Sequence, residues 1–81
     1  MTSGWKIAAM GVADGDDRFQ IDGVPIWSHR WNRLPVKAVR FPEPLYGEWH
    51  RFDVYELEGM PHIRFAATEL SKCVWGFLVP E

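Results

Sequence analysis

Two short runs rich in aromatic and β-branched residues flank a turn. Residues 48–57 read EWHRFDVYEL, residues 58–62 read EGMPH, and residues 63–70 read IRFAATEL. Runs of this length and composition, separated by glycine and proline, are typical of two strands joined in a hairpin. The segment from 48 to 70 therefore predicts an antiparallel strand pair at the centre of the fold.

One register suits this hairpin. It sets opposite each other residues whose numbers add to 120, which gives the pairs Arg51–Glu69, Glu56–Arg64, Tyr55–Phe65 and Leu57–Ile63. Opposite charges and apolar partners then meet, and such cross-strand pairs contribute about 0.2–1 kcal/mol each. Continued through a turn at Ser71–Lys72, the chain places Trp75 opposite Thr68 and Leu78 opposite Phe65.

This arrangement gives the sheet apolar rows on both faces. An antiparallel sheet with one wet face alternates apolar with polar residues instead. A chain of 81 residues has few residues left to cover a second face. We therefore expect either a barrel with a partly apolar exterior or a homodimer.

The rest of the chain is punctuated in the same way by Gly, Pro and Asp. The further candidate strands are residues 5–12, 18–22, 24–28, 36–41 and 73–79. The pattern predicts a single all-β domain over 1–81, a small antiparallel meander forming a sandwich or partly open barrel of 5–7 short strands. Helical spacing also fits residues 66–78, and one short helical turn fits near 28–34.

Composition excludes several classes of protein. Hydrophobic residues make up 47% of the chain, charged residues 25%, and the formal net charge is −2, which is unlike a disordered chain. No run approaches the roughly 20 apolar residues that cross a bilayer, so we expect no membrane partner. Cys73 is the only cysteine, so no internal disulfide forms, and a reducing, cytoplasmic location is expected.

Charge is distributed unevenly along the chain. Residues 23–42 contain four basic and no acidic side chains, whereas residues 1–22 carry a net charge of −2 and residues 43–81 a net charge of −4. The near-neutral total therefore hides a basic middle segment between two acidic flanks.

The basic segment also holds two tryptophans. The residues that we single out as a partner-binding surface are Trp27, Arg30, Trp31, Arg33, Lys37 and Arg40. Trp and Arg are enriched in interface hot spots, so the leading hypothesis is a non-catalytic protein-interaction module that binds an acidic protein partner through residues 27–40. The same residues suit single-stranded nucleic acid, although the acidic total argues against it. The structural alternative is that both tryptophans are core residues and that the arginines pair with the acidic flanks.

No catalytic or metal-binding motif stands out. The cluster Asp14-Gly15-Asp16-Asp17 lacks the glutamate of a calcium loop at the twelfth position, where Pro25 stands, and it reads as a hairpin turn. The three histidines share no metal-ligand spacing, so we expect no metal and no cofactor. A small enzyme with an unrecognised site stays open as a further alternative.

Two single residues carry groups that could take part in chemistry. Cys73 lacks any local signature of a nucleophile and reads as a small apolar filler. Asp53 is expected on the same face as Tyr55 and Leu57, where a carboxylate either acts as a general acid or pairs with an arginine.

Overall fold

The computed structural model describes residues 4–12 and 19–81. Within these ranges all regular structure is β apart from one short 3-10 turn at Ile26–Ser28, which confirms the predicted all-β class. The strands are β1 (Trp5–Val12), β2 (Gln20–Ile21), β3 (Val24–Pro25), β4 (Trp31–Arg33), β5 (Val39–Arg40), β6 (Arg51–Leu57), β7 (Met60–Ser71) and β8 (Val74–Pro80). The predicted turn at residues 14–17 and Arg18 lie outside the described residues.

The predicted helical turn lies earlier than residues 28–34. It occupies Ile26–Ser28, directly after Pro25, whose φ of −69° already suits the start of a turn. Residues 31–33 form strand β4 instead, because they pair with residues 55–57 of β6. The segment 66–78 is strand on both sides of its turn, so its helical alternative is wrong.

The main sheet has six antiparallel strands. Its order is β1-β8-β7-β6-β4, and β5 also pairs with β6. Strand β4 lies along residues 55–57 of β6, and β5 lies along residues 51–52 of the same edge. Two very short strands therefore share one long neighbour and end the sheet on that side.

The β6–β7 register agrees with the prediction over most of its length. Tyr55 pairs with Phe65 and Glu56 with Arg64, and both pairs add to 120. The predicted Leu57–Ile63 pair is wrong, because the register shifts after Glu56 and Leu57 pairs with Met60. A tight turn through Gly59, whose φ is +81°, brings those two residues together.

The β7–β8 register differs from the prediction by one residue. Glu69 pairs with Trp75, so Thr68 does not, and Leu78 pairs with Ala66. The turn is Lys72–Cys73 rather than Ser71–Lys72, with a register shift between Glu69 and Ser71. A one-residue slip moves every side chain to the other face, so Trp75 and Leu78 each lie on the face opposite to the predicted one.

Both faces of the sheet are apolar, as predicted, and this same chain covers both. On the first face, residues 19–31 pack over a buried cluster of Ile26, Leu57, Ile63, Phe65, Ala67 and Phe77. On the second face, residues 34–45 help cover a cluster of Phe41, Phe52, Val54, Ala66, Leu70 and Leu78. The central strands therefore need no second copy to bury their apolar rows.

The β2–β3 hairpin is the main cover of the first face. Its turn is Asp22-Gly23, with φ values of +52° and +78°. Positive φ at both central residues matches the twist of a two-residue hairpin, and Asp-Gly is a preferred pair there. Its strands place Ile21 and Val24 against the first cluster.

Candidate interaction surface

The two tryptophans of the basic segment are packing residues. Trp27 lies in the 3-10 turn and Trp31 begins β4, and their ring centroids are 4.9 Å apart. Trp27 also meets Trp75 and Phe77 edge to face, at 5.9 and 5.4 Å. Both rings are partly buried against the first cluster. This agrees with the alternative in which the two tryptophans are core residues.

Trp31 is the centre of this aromatic group. Its ring lies 5.0 Å from Phe65, 5.4 Å from Tyr55 and 5.8 Å from Phe77, centroid to centroid. Its indole N–H donates to the backbone carbonyl of Ile26 at 2.9 Å. Edge-to-face contacts and a satisfied indole donor are the usual marks of a structural tryptophan.

The basic residues of the segment, in contrast, are all exposed. Arg33 is in β4 opposite Tyr55, and Arg40 is in β5 opposite Arg51. Lys37 lies in the connection between these strands, and Arg30 immediately precedes β4. The predicted set thus divides into two structural tryptophans and four solvent-facing cations.

Arg33 makes a loose contact with Asp53. The guanidinium Nη2 and the carboxylate Oδ1 are 3.9 Å apart, and the side chains are 71% and 42% exposed. A pair this open contributes little to stability. Asp53 is thus a half-exposed partner of an arginine, which is one of the two roles expected for it.

Tyr55 lies beside this ion pair. Partial burial raises the pKa of the Tyr55 hydroxyl above its ordinary value, and the Asp53 carboxylate raises it further. The Arg33 guanidinium acts in the opposite direction. Positions 53 and 55 are two residues apart in β6, so the side chains of Asp53 and Tyr55 lie on the same face of the sheet. The Asp53 carboxylate and the Arg33 guanidinium therefore both act on the Tyr55 hydroxyl from that face.

Arg40 and Arg51 form a like-charge pair across two strands. They are directly opposite in the β5–β6 register, and both side chains are exposed. Among residues 4–12 and 19–81, neither has a carboxylate within 4.0 Å, so the predicted Arg51–Glu69 ion pair is not formed. Like charges in this position are destabilising, so folding alone gives no reason for the pair.

These arginines lie on one face of the sheet. Arg51, Asp53 and Tyr55 are every second residue of β6, so their side chains lie on the first face of the sheet. Arg40 is opposite Arg51 and Arg33 is opposite Tyr55 in the neighbouring strands, so these two side chains lie on the same face. We refer to Arg33, Arg40 and Arg51 as the arginine rim. The rim begins where the aromatic packing of the first face ends at Trp31 and Tyr55.

Three exposed residues between 46 and 51 were not predicted as part of a binding surface. Arg51 lies outside the basic segment, so the charge count along the chain could not join it to Arg40. Tyr46 and Trp49 are 62% and 59% exposed, and they precede Arg51 by five and two residues. The run YGEWHR at 46–51 carried a signal for them, since it combines two aromatics with an arginine.

The histidines fall into structural and surface positions. The Nδ1–H of His29 donates to the carbonyl of Pro25 at 2.8 Å, and the Nε2–H of His50 donates to the carbonyl of Leu45 at 3.1 Å. His62 is exposed. Across the part of the chain that the structure describes, no three metal-ligating side chains form a group.

Cys73 is exposed at the β7–β8 turn, so the prediction that it is a small apolar filler is wrong. Its backbone φ is +62°, in the left-handed region. The hairpin closes through Lys72 and Cys73, and Cys73 takes the left-handed conformation in this tight turn. Geometry of the turn, rather than packing, sets the environment of this thiol.

Comparison with known proteins gives no match: no family model matches the chain, and neither the curated proteins nor the solved structures contain a significantly similar one. No helix in residues 4–12 and 19–81 is long and apolar enough to cross a membrane.

Proposed function

We propose that this protein is a non-catalytic protein-interaction module and that it binds an acidic protein partner. The contact surface combines the exposed cations of the basic segment, Arg30, Arg33, Lys37 and Arg40, with Arg51. Trp27 and Trp31 pack beside this surface, on the same face of the sheet, and have a structural role rather than a contact with the partner. The hypothesis based on sequence alone placed the two tryptophans in the contact surface, whereas this proposal gives them a structural role.

The observation that carries the proposal is the Arg40–Arg51 pair. Two exposed guanidinium groups opposite each other repel, and no carboxylate of the described residues approaches them within 4.0 Å. An acidic side chain of a partner would neutralise this repulsion through charge-assisted hydrogen bonds. Functional surfaces often retain such locally unfavourable arrangements, because binding supplies the missing partner.

Exposed aromatic residues support the same surface. Trp49 and Tyr46 precede Arg51 on the connection into β6, and most of each side chain is exposed. Trp, Tyr and Arg are the residue types most enriched at interface hot spots. We therefore assign Trp49 the role of apolar anchor beside the arginine rim.

Nucleic acid is the less favoured partner. Single-stranded nucleic acid requires aromatic faces on which bases stack. The rings of Trp27 and Trp31 pack against each other and against Phe65, Trp75 and Phe77. Much of their surface is therefore not free to stack on a base. Binding that disappears after nuclease treatment would replace the protein partner with nucleic acid in this account.

An affinity capture experiment tests the proposal. The full chain is immobilised, exposed to lysate of the native host with and without nuclease, and compared with a variant carrying Arg33→Glu, Arg40→Glu and Arg51→Glu. The matched control carries Lys6→Glu, Arg64→Glu and Lys72→Glu, which makes the same charge change at exposed sites away from the rim. We expect nuclease-resistant capture of an acidic protein by the wild type and the control but not by the rim variant. Equal capture by the rim variant would refute the proposal.

We further propose that the protein forms a homodimer in a cytoplasmic setting. The central strands have both faces covered by this chain, so they supply no reason for a dimer. The supporting feature is strand β1, which ends the described sheet and leaves Ile7 and Met10 38% and 45% exposed. A long apolar edge strand is suited to pairing with a second copy. Light scattering should give twice the mass of one chain, and Ile7→Lys should give the mass of one.

A further inference from the structure

The arginine rim contains two kinds of arginine. Arg33 faces the Asp53 carboxylate at 3.9 Å, so its charge already has a counterpart within the chain. Arg40 and Arg51 are directly opposite each other, and no carboxylate of residues 4–12 and 19–81 lies within 4.0 Å of either. A group that binds at this end of the rim therefore meets two guanidinium groups at once.

The backbone beneath Arg40 and Arg51 is held by buried neighbours. Phe52 follows Arg51 and is fully buried, and Phe41 follows Arg40 and is also buried. The two phenylalanine rings belong to the second cluster, and their centroids are 6.4 Å apart. Val39, opposite Phe52 in the register, packs on the same cluster. Both arginines are thus presented from a fixed base, which lowers the cost of ordering them on binding.

The spacing of the pair suits one small anionic group. Residues directly opposite each other in an antiparallel pair have Cβ atoms about 4.5–5.5 Å apart, and their side chains lie on the same face. Two arginine side chains at this separation can therefore reach a single anion placed between them. We refer to Arg40 and Arg51 as the arginine clamp.

Charge and geometry together select the kind of anion. A carboxylate carries one negative charge, and one bidentate guanidinium group engages both of its oxygens, so the second arginine keeps most of its charge. A phosphate monoester carries a charge of about −1.5 to −2 at pH 7 and has three strong acceptor oxygens, enough for both arginines. A phosphodiester of nucleic acid carries only one negative charge. The clamp therefore matches a phosphate monoester best.

Acidic residues around the clamp favour a compact anion over a long acidic run. Asp53 is two residues from Arg51 on the same face, and Glu69 in β7 pairs with Trp75 of that face. Glu48 is exposed three residues before Arg51. These carboxylates would repel a series of aspartates or glutamates laid across the surface. A single phosphate can bind at the clamp without placing further negative charge beside them.

We infer that the acidic protein partner carries a phosphorylated side chain and that its phosphate monoester binds between Arg40 and Arg51. This inference rests on the proposed function, because it names the group by which the same surface recognises its partner. Arg33 and the other exposed cations contribute attraction of longer range, whereas the clamp makes the hydrogen bonds to the phosphate.

Phosphatase treatment of the lysate tests the inference. The full chain is immobilised and exposed to two portions of nuclease-treated lysate, one with active and one with heat-inactivated phosphatase. We expect active phosphatase to reduce capture of the partner about tenfold or more, because the dephosphorylated side chain loses its charge-assisted hydrogen bonds. Equal capture from both portions would overturn the inference and leave the proposed function standing. Absence of capture from both would refute the proposed function and the inference with it.

Two small probes test the clamp without the partner. Phenyl phosphate and benzoate share an aromatic ring and differ in the anionic group. In titrations followed by nuclear magnetic resonance, we expect phenyl phosphate to bind about five- to tenfold more tightly and to shift the amide signals of Arg40 and Arg51. Equal affinity for the two probes, or binding of neither, would overturn the inference.

A pair of matched variants locates the binding site of the phosphate. Arg40→Gln combined with Arg51→Gln should remove the preference for phenyl phosphate, and it relieves a like-charge pair, so the fold should be retained. The control Arg64→Gln with Lys72→Gln makes the same charge change at exposed positions elsewhere and should keep the preference. The spectra of the free variants confirm that both are folded. An unchanged preference in the folded clamp variant would contradict the assigned site.

Discussion

At the scale of single residues, Tyr46 and Cys73 each carry a conformational cost, because both have a positive φ. Cys73 has a φ of +62° in the β7–β8 turn, where its side chain is exposed. For residues other than glycine, this conformation costs about 1–2 kcal/mol. Packing does not repay this cost, since an exposed thiol makes few contacts.

Replacing Cys73 by glycine should therefore stabilise the protein. We expect Cys73→Gly to raise the free energy of unfolding by about 0.5–1 kcal/mol, the relief of strain less the greater entropy of glycine in the unfolded chain. Urea denaturation measures the change. Cys73→Ala is the control, because alanine retains the strain and should leave stability nearly unchanged. A less stable glycine variant would show that the turn has another conformation.

Tyr55 reports on the charges around it. Because its pKa is raised in the folded protein, the unfolded chain ionises first as pH increases. The contribution of Tyr55 to stability is thus complete below about pH 10 and is lost as pH rises through its folded-state pKa. In a Tyr46→Phe background, ultraviolet absorbance follows this one phenol.

Two substitutions should move that titration in opposite directions. Asp53→Asn removes a negative neighbour and should lower the pKa of Tyr55, whereas Arg33→Gln removes a positive neighbour and should raise it. Shifts of the same sign, or none, would mean that Arg33, Asp53 and Tyr55 are not neighbours in solution.

At the scale of strands, hydrophobic pattern predicted the existence of elements better than their registers. The pairs Tyr55–Phe65 and Glu56–Arg64 were predicted correctly, because two aromatic or two oppositely charged side chains favour positions directly opposite each other. The β7–β8 register depends on how one turn closes, and local composition does not reveal a positive φ at Cys73. Strand β4 was missed because three residues carry too little periodicity, and their pairing partners lie over twenty residues away.

Gly76 tests the observed register of β7 and β8. It lies opposite Thr68, and a Cβ at this position would be 2.8 Å from Leu70 Cδ1 and 3.3 Å from Phe52 Cε2. We expect Gly76→Ala to lower the free energy of unfolding by about 1–2 kcal/mol, since the buried second face has no space for a methyl group.

Gly11→Ala is the matched control for that substitution. It places the same methyl group in β1, where nothing lies within 4 Å. Its effect should stay within about 0.5 kcal/mol. Denaturant melts of both variants decide the point, and equal effects would be incompatible with the observed β7–β8 register.

At the scale of the whole molecule, charge counting along the chain identified four of the five cations of the proposed surface and missed Arg51. It found Arg33 and Arg40, which lie together on the outer side of β6. It assigned Trp27 and Trp31 to the surface, because the sequence does not show that the chain turns them onto Phe65 and Phe77. Arg51 joins the surface through strand pairing alone, a long-range feature without a local signal.

The central claim is that the arginine rim is retained for binding and not for folding. If so, binding and stability should respond in opposite directions to a charge change at the rim. Arg40→Glu converts the like-charge pair with Arg51 into an attractive one, worth about 0.2–1 kcal/mol across an antiparallel pair. Arg40→Glu combined with Arg51→Glu restores a like-charge pair and should cancel the gain.

The most direct test measures Arg40→Glu by urea denaturation and by partner capture in parallel. The account predicts a higher free energy of unfolding together with loss of the captured protein, and a stability near that of the wild type in the double variant. A destabilised Arg40→Glu variant, or one that still captures the partner, would contradict the account, because the rim would then serve the fold or serve no partner.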